Sequence, residues 1–81
     1  MADGDSTAPE VQDLRDLPAP EPLLRALEAA DALQPGQAVV VLTPLLPRPL
    51  LDALDQRGLR WQARDLGRDG ARIQISRAEA P

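Results

Sequence analysis

The sequence contains no cysteine and no histidine, and none of its nine basic residues is a lysine. Without cysteine there is no disulfide and no thiolate ligand, and without histidine there is no imidazole for zinc binding or acid–base catalysis. Without lysine, Ser-Lys dyads and Schiff bases are excluded as well. We therefore predict a protein that is not an enzyme and that holds no metal and no cofactor.

Aromatic residues and positive charge are also scarce, since Trp61 is the only aromatic residue and the net charge is −4. A net negative charge opposes general affinity for nucleic acid or anionic membranes. The first 40 residues carry eight acidic and two basic side chains, whereas residues 41–81 carry five acidic and seven basic ones. No run approaches the roughly 20 apolar residues of a membrane helix. We predict a cytoplasmic protein that binds no membrane, has no general affinity for nucleic acid and carries a cationic patch in its second half.

The length of 81 residues suits one small domain. Residues 1–10 are small, polar and acidic, which is typical of a disordered tail. Residues 11–77 are predicted to form the single domain, and residues 78–81 a frayed C-terminus.

Two proline-opened stretches predict helices, because proline is tolerated in the first helical turn but not further in. The first helix spans residues 20–33, with Ala19 as the residue before its start and a poor cap. Its apolar stripe consists of Leu23, Leu27, Ala30 and Leu33. Pro47 or Pro49 opens the second helix, which runs to about Gln56.

Four stretches predict strands: residues 11–15, 38–42, 59–64 and 72–76. The second is a continuous apolar run, typical of a strand that is apolar on both faces, and the last two alternate and form a hairpin. The order β-α-β-α-β-β predicts an α+β fold, a two-layer sandwich with a mixed four-stranded sheet and two helices on one face. The predicted core consists of Leu14, Leu23, Leu27, Leu54, Trp61, Ile73 and Ile75.

The two predicted helix starts share a short internal sequence repeat, since residues 20–27 and 47–54 are identical at six of eight positions. The two mismatches exchange sign, with Glu21 against Arg48 and Arg25 against Asp52. Either proline-opened leucine helices simply look alike, or a βα unit was duplicated and the neighbouring helices pair these residues across their interface.

A family resemblance is carried by residues 13–23 (DLRDLPAPEPL), 33–36 (LQPG), 47–51 (PRPLL) and 57–61 (RGLRW). Together they resemble the bacterial family called domain of unknown function 2249 and, more distantly, the SirA/TusA sulfur carriers. In those carriers a Cys-Pro-x-Pro motif places a persulfide-bearing cysteine at the first helix start. In this chain Ala19, Pro20, Glu21 and Pro22 match that motif only in its prolines. The resemblance therefore implies a SirA/TusA-like scaffold without the catalytic cysteine and without sulfur transfer.

The leading functional hypothesis is a non-catalytic protein-interaction module, adaptor or regulatory, that binds an unidentified protein or a second copy of itself. Its predicted surface is the helix-free face of the sheet, where an apolar centre from residues 38–42 is rimmed by arginines and extended by a leucine-rich loop. The surface residues are Arg60, Arg64, Arg72, Leu45 and Leu46.

Two alternatives belong to other classes. A small anion or ligand could bind at the helix starts, held by the amides of Glu21 and Leu23 with help from Arg15 or Arg48. Weak RNA binding on the open sheet face would have to rely on phosphate contacts, because stacking aromatics are missing. An acidic metal site formed by Asp13, Asp16 and Glu21 is not expected, since their spacing is not that of a calcium loop.

Overall fold

The computed structural model describes residues 9–79. The elements in chain order are β1 (Glu10–Asp13), α1 (Glu21–Asp31), β2 (Ala38–Thr43), α2 (Arg48–Gln56), β3 (Arg60–Asp65), a short 3-10 helix (Gly67–Asp69) and β4 (Ala71–Ser76). The predicted order β-α-β-α-β-β is confirmed. Glu10, which we assigned to the tail, is the first residue of β1, and residues 77–79 have no regular secondary structure. The predicted tail over residues 1–8 and the last two residues lie outside the described residues.

The four strands form one mixed sheet in the order β1-β2-β4-β3. The pair β1–β2 is parallel, whereas β2–β4 and β4–β3 are antiparallel. Both the predicted parallel pair and the predicted hairpin are therefore confirmed. The strands β1 and β3 are the two edges of this sheet, and neither helix among residues 9–79 has the length and apolarity to cross a membrane.

The core lies between the helices and one face of the sheet. From α2 it receives Leu50 and Leu54, and from the sheet Val39, Val41, Ile73 and Ile75, all at most 4% exposed. Leu14 completes it at the end of β1. Burying side chains of this size contributes about 1.5–3 kcal/mol each, so this cluster is a main stabilising feature of the domain.

The buried face of α1 is shifted from the prediction. Pro22, Ala26 and Ala30 are the buried residues of α1, while Leu23 and Leu27 are only half-buried against the margin of the core. Small alanine side chains allow the helix to approach the sheet closely, and the leucines then pack along its flanks. The single aromatic residue, which we placed in the core, is also half-buried at this margin.

The two helices begin in the same way, each with a proline before the first residue and another at the second position. Pro20 precedes α1 and Pro47 precedes α2, and neither offers a side-chain oxygen as a cap. The prediction that Ala19 precedes the first helical residue was therefore wrong by one position. The amide of Glu21 instead donates to the Pro18 carbonyl oxygen at 2.9 Å, which satisfies the first amide of the helix from the preceding loop.

The ion pairs between the helices that the duplication hypothesis predicts are absent from the described residues. Arg25 binds Glu21 at 3.4 Å within α1, because residues four apart on a helix are neighbours on its surface. The two helices are instead linked near their C-terminal ends, where the Nε of Arg57 lies 2.9 Å from the Oδ1 of Asp31. Both pairs are exposed, so each contributes only about 0–1 kcal/mol.

Candidate interaction surface

The sheet face opposite the helices, which we call the open face, is divided into an apolar half and a polar half. Residues that lie directly across from one another on neighbouring strands share a face. On β1 and β2 the open face carries Val11, Asp13, Ala38, Val40 and Leu42. On β3 and β4 it carries Arg60, Gln62, Arg64, Arg72, Gln74 and Ser76. The arginines thus lie beside the apolar residues, not around them as predicted.

The three arginines of the open face form a pair and a separate third member. Arg64 lies directly opposite Arg72 in the β3–β4 register, whereas Arg60 lies opposite Ser76 at the other end of the hairpin. Four residues of strand separate Arg60 from Arg64, which is about 13 Å. Within residues 9–79, none of the three arginines has a carboxylate within ion-pair distance. Like charges placed directly opposite destabilise a sheet, so the isolated domain gains nothing from this pair.

The loop between β2 and α2 carries the most exposed leucine of the described chain. Leu45 is 78% exposed and Leu46 is 38% exposed. The loop is anchored by Thr43, which is buried and whose Oγ1 donates to the Leu45 carbonyl oxygen at 2.7 Å. Because Leu42 lies opposite Arg72, the loop leaves the sheet at the end that carries the arginine pair. Leu45 is therefore in a loop at the end of the sheet that carries Arg72 and Arg64.

A glycine holds the β3–β4 turn against this loop. Gly70 has φ +94° and ψ −138°, and a Cβ added there would overlap the Thr43 carbonyl oxygen. The turn is closed by the Leu66 amide, which donates to the Gly70 oxygen at 2.7 Å. Only glycine permits this close approach, so Gly70 fixes the position of the turn relative to Leu45.

The carboxylate of the open face is already bound to a neighbour. Arg15 donates from Nε and Nη2 to the two oxygens of Asp13 at 2.9 and 2.8 Å, and from Nη1 to the Asp69 carbonyl oxygen at 3.3 Å. The hydrogen bonds from Arg15 lower the pKa of Asp13 from its usual 3.8 to about 2. In turn Asp13 raises the pKa of Arg15. Asp13 is thus bound to Arg15. It therefore does not neutralise the positive charges of Arg72 and Arg64, which lie in the same row of the open face.

The start of α1 offers few free donors for an anion. The Glu21 amide donates to Pro18, Pro22 has no amide hydrogen, and the Leu24 amide donates to the Pro20 oxygen at 3.2 Å. Of the four predicted donors, this leaves the Leu23 amide, because Arg15 is bound to Asp13 and Arg48 lies at the other helix. No group of three or more acidic, histidine or cysteine side chains within residues 9–79 is placed to hold a metal ion.

A small cavity lies between α2 and the edge strand β3, and sequence reasoning missed it. Its volume is about 160 Å³, and its lining consists of Arg48, Leu51, Asp52, Asp55 and Trp61. The four helical residues recur at spacings of three and four, so they form one face of α2. The indole Nε1 donates to the Asp55 Oδ1 at 2.9 Å. The spacing of the four helical residues is visible in the sequence. The groove forms only because β3 lies at the edge of the sheet, next to this face of α2.

A larger cavity, of about 480 Å³, lies where α1 ends and β1 and β2 begin. Glu10, Leu33, Gly36 and Ala38 are among the residues that line it. Ala38 and Gln74 of the open face line this cavity, but none of Arg60, Arg64, Arg72, Leu45 and Leu46 and no residue of the proline motif does. The cavity is therefore separate from the arginine pair, from the exposed leucine loop and from the start of α1.

Comparison with known proteins gives one result. A family model described as Uncharacterized conserved protein (DUF2249) matches residues 11–77. The chain belongs to this family. The match extends over α1, α2 and β2 to β4 and over all but the first residue of β1. No curated protein and no solved structure matches the chain.

In this DUF2249 domain the turn that precedes α1 is exposed and its residue Ala19 carries no nucleophile. Ala19 is exposed and precedes Pro20 through a cis peptide bond, and Pro22 is buried under the first turn of α1. The side chain of Ala19 is a methyl group, and the carboxylate of Glu21 is bound to Arg25 on the same helix.

Proposed function

We propose that this domain is a non-catalytic protein-interaction module, adaptor or regulatory, which binds another protein or a second copy of itself. The surface used is the open face together with the loop that carries Leu45 and Leu46. The observation that carries the proposal is the position of Arg64 directly opposite Arg72, with no carboxylate partner among residues 9–79.

The arginine pair is unfavourable in the isolated domain and favourable in a complex. Two guanidinium groups on directly opposed residues of neighbouring strands repel one another, and this repulsion destabilises the sheet. A carboxylate supplied by a partner would remove that repulsion and add charge-assisted hydrogen bonds, which arginine forms in bidentate geometry. The same surface that weakens the sheet thus becomes a recognition site for an acidic partner.

Exposed apolar side chains on the open face and in its adjoining loop support the same proposal. Leu45 and Val11 are 78% and 58% exposed, and Val11 lies in the row of Val40 on the open face. Covering exposed apolar surface contributes about 25 cal/mol per Å² to association. Apolar side chains beside arginines are also the usual composition of protein-binding surfaces.

The alternatives have less support. Trp61 is the only aromatic residue and lies in the row of Val39 and Ile75 on the helix side, so RNA on the open face would find no stacking platform. An anion at the α1 start would meet one amide and the charge of Glu21. We also propose a cytoplasmic location and a distant relationship to the SirA/TusA carriers, which is supported by the element order and the Pro-x-Pro helix start.

The test compares capture of cellular proteins by the wild type and by Arg64→Glu. We expect Arg64→Glu to lose the captured protein, or the self-association seen by light scattering, while its free energy of unfolding is no lower than that of the wild type, because the new carboxylate would lie opposite Arg72. Arg68→Glu, in the exposed turn, has the same charge change and should retain binding. Equal capture by both variants, or oligonucleotide binding that only Arg64→Glu abolishes, would contradict the proposal.

A further inference from the structure

The edge strand β3 lies beside a groove, and this combination can accept an additional strand. Its residues are exposed except for Trp61, which is half-buried. One side of β3 pairs with β4, and the other side has no neighbour in the described sheet. On the helix side of this free edge lies the cavity of about 160 Å³ between α2 and Trp61. Peptide-binding domains use such a pairing edge with a neighbouring groove for side chains.

Strand geometry decides which side chains of an added strand would meet which surface. Residues opposite Arg60, Gln62 and Arg64 would lie on the open face, because directly opposed residues share a face. Residues opposite Trp61 and Ala63 would lie on the helix side, next to the cavity. Arg60 and Arg64 thus select acidic residues four positions apart in the added strand. The cavity selects the side chains at the positions between these two acidic residues.

We propose that the free edge of β3 binds an extended acidic segment of a partner protein, which adds to the sheet as a fifth strand. The inference rests on the proposed function and names the chemistry of the partner. The segment carries acidic residues at the first and fifth of five positions and apolar residues at the second and fourth. Because Asp52 and Asp55 line the cavity, acidic residues at the second and fourth positions would be repelled.

A second copy of the chain is a poorer occupant of this edge. Two β3 strands related by a two-fold axis through the sheet would pair about Gln62 or about Ala63. In either register Arg60 and Arg64 of both copies lie on the same face of the joined strands, next to Arg72. Like charges so placed are destabilising, whereas an acidic strand brings the opposite charge to the same positions.

The experiment uses the full chain and the capped peptide Ser-Glu-Leu-Thr-Val-Glu-Ser. Trp61 is the only tryptophan and lines the cavity, so its fluorescence and its single indole N–H resonance report binding without a label. We expect a saturable change at Trp61 and amide shifts concentrated on β3. Amide shifts concentrated on β1 would overturn the inference.

Two control peptides separate charge from strand pairing. Replacing both Glu residues with Gln should weaken binding roughly tenfold, since two exposed charge pairs are lost. Methylating the amide nitrogens of Leu and Thr should abolish binding, because in a strand one of two consecutive amides points to the neighbouring strand. A methylated peptide that binds as tightly as the parent would show a purely electrostatic contact and overturn the inference.

Variants of the chain identify the occupant. The double variant Arg60→Glu, Arg64→Glu should bind the parent peptide at least about tenfold more weakly, and Arg68→Glu within twofold of the wild type. Two other occupants would overturn the inference. Concentration-dependent dimerisation that excludes the peptide would identify a second copy, and tighter peptide binding by Asp3→Asn, Asp5→Asn would identify the chain's own acidic first residues.

The failure of this inference is distinguishable from the failure of the proposed function. If no peptide binds but Arg64→Glu still loses the captured protein, strand addition is wrong and the interaction module stands. If the wild type and Arg64→Glu also behave alike in capture and light scattering, both are wrong.

Discussion

Replacing Gly70 with alanine tests how the β3–β4 turn is held against the β2–α2 loop. At φ +94° and ψ −138° the backbone is in a region that side chains rarely adopt, which costs about 1–3 kcal/mol. The new Cβ would also overlap the Thr43 oxygen and lie 3.2 Å from the Pro44 oxygen. Thr43 pairs with Ala71 at the end of the β2–β4 ladder, and disturbing that end costs about a further 1 kcal/mol. Gly70→Ala should therefore lose about 2–4 kcal/mol.

Gly67 in the same turn provides the matched control. Its φ is +67°, but no atom lies within 4 Å of an added Cβ, so Gly67→Ala should cost only the left-handed backbone term of about 1–2 kcal/mol. Urea unfolding followed by Trp61 fluorescence measures both losses. Gly70→Ala should be the more destabilised variant, and its open face should lose binding. Equal losses for the two glycines would refute the close approach of the turn to Thr43.

Three further predictions concern the core, the acid response and the helix start. Leu54 is fully buried, so Leu54→Ala should cost about 2–5 kcal/mol in urea unfolding, whereas Leu45→Ala should stay within about 0.5 kcal/mol; equal losses would contradict the assigned core. The carboxyl resonance of Asp13 should titrate with a pKa of about 2. Because this folded-state pKa is depressed, the stabilising contribution of Asp13 is complete above about pH 4 and is lost as the pH falls towards 2. In Asp13→Asn the free energy of unfolding should therefore fall less steeply as the pH is lowered through this range. Ala19→Asp should change stability by less than about 0.5 kcal/mol, because Pro20 occupies the capping position; a gain of about 1 kcal/mol would restore Ala19 as the cap.

The elements could be predicted from local signals because each signal acts over a few residues. The valine run of β2, the prolines before α1 and α2 and the alternation in β3 and β4 each determine the backbone of their own segment. Both the parallel pair and the hairpin followed from connection rules. The family resemblance pointed to the same layout.

The features that escaped prediction depend on how distant segments pack. The apolar spacing predicted a buried stripe that included Leu23, Leu27 and Ala30; Ala30 is buried as predicted, but Ala26 takes the central place and the two leucines are only half-buried. Arg60, Arg64 and Arg72 share a face by alternation, yet only the register places two of them opposite and the third about 13 Å away.

The groove beside Trp61 has the same origin. It exists because β4, the last strand, inserts between β2 and β3 and leaves β3 at the edge. Alternation within residues 59–64 indicates which side chains share a face, but it does not indicate whether the strand is central or at an edge. The sequence therefore suggested a core position for Trp61, where the structure has a half-buried side chain that donates to Asp55.

The central claim is that the open face and its adjoining loop contact a partner protein. The most direct measurement is photo-crosslinking in living cells with a photoreactive amino acid at Leu45, and at Leu24 as a control. Leu24 is also an exposed leucine, at 49%, but lies on α1 in the helix layer. We expect a discrete crosslinked product from position 45 that disappears when Arg64→Glu is added, and no such product from position 24. Equal crosslinking from both positions, or a position-45 product unaffected by Arg64→Glu, would contradict the account.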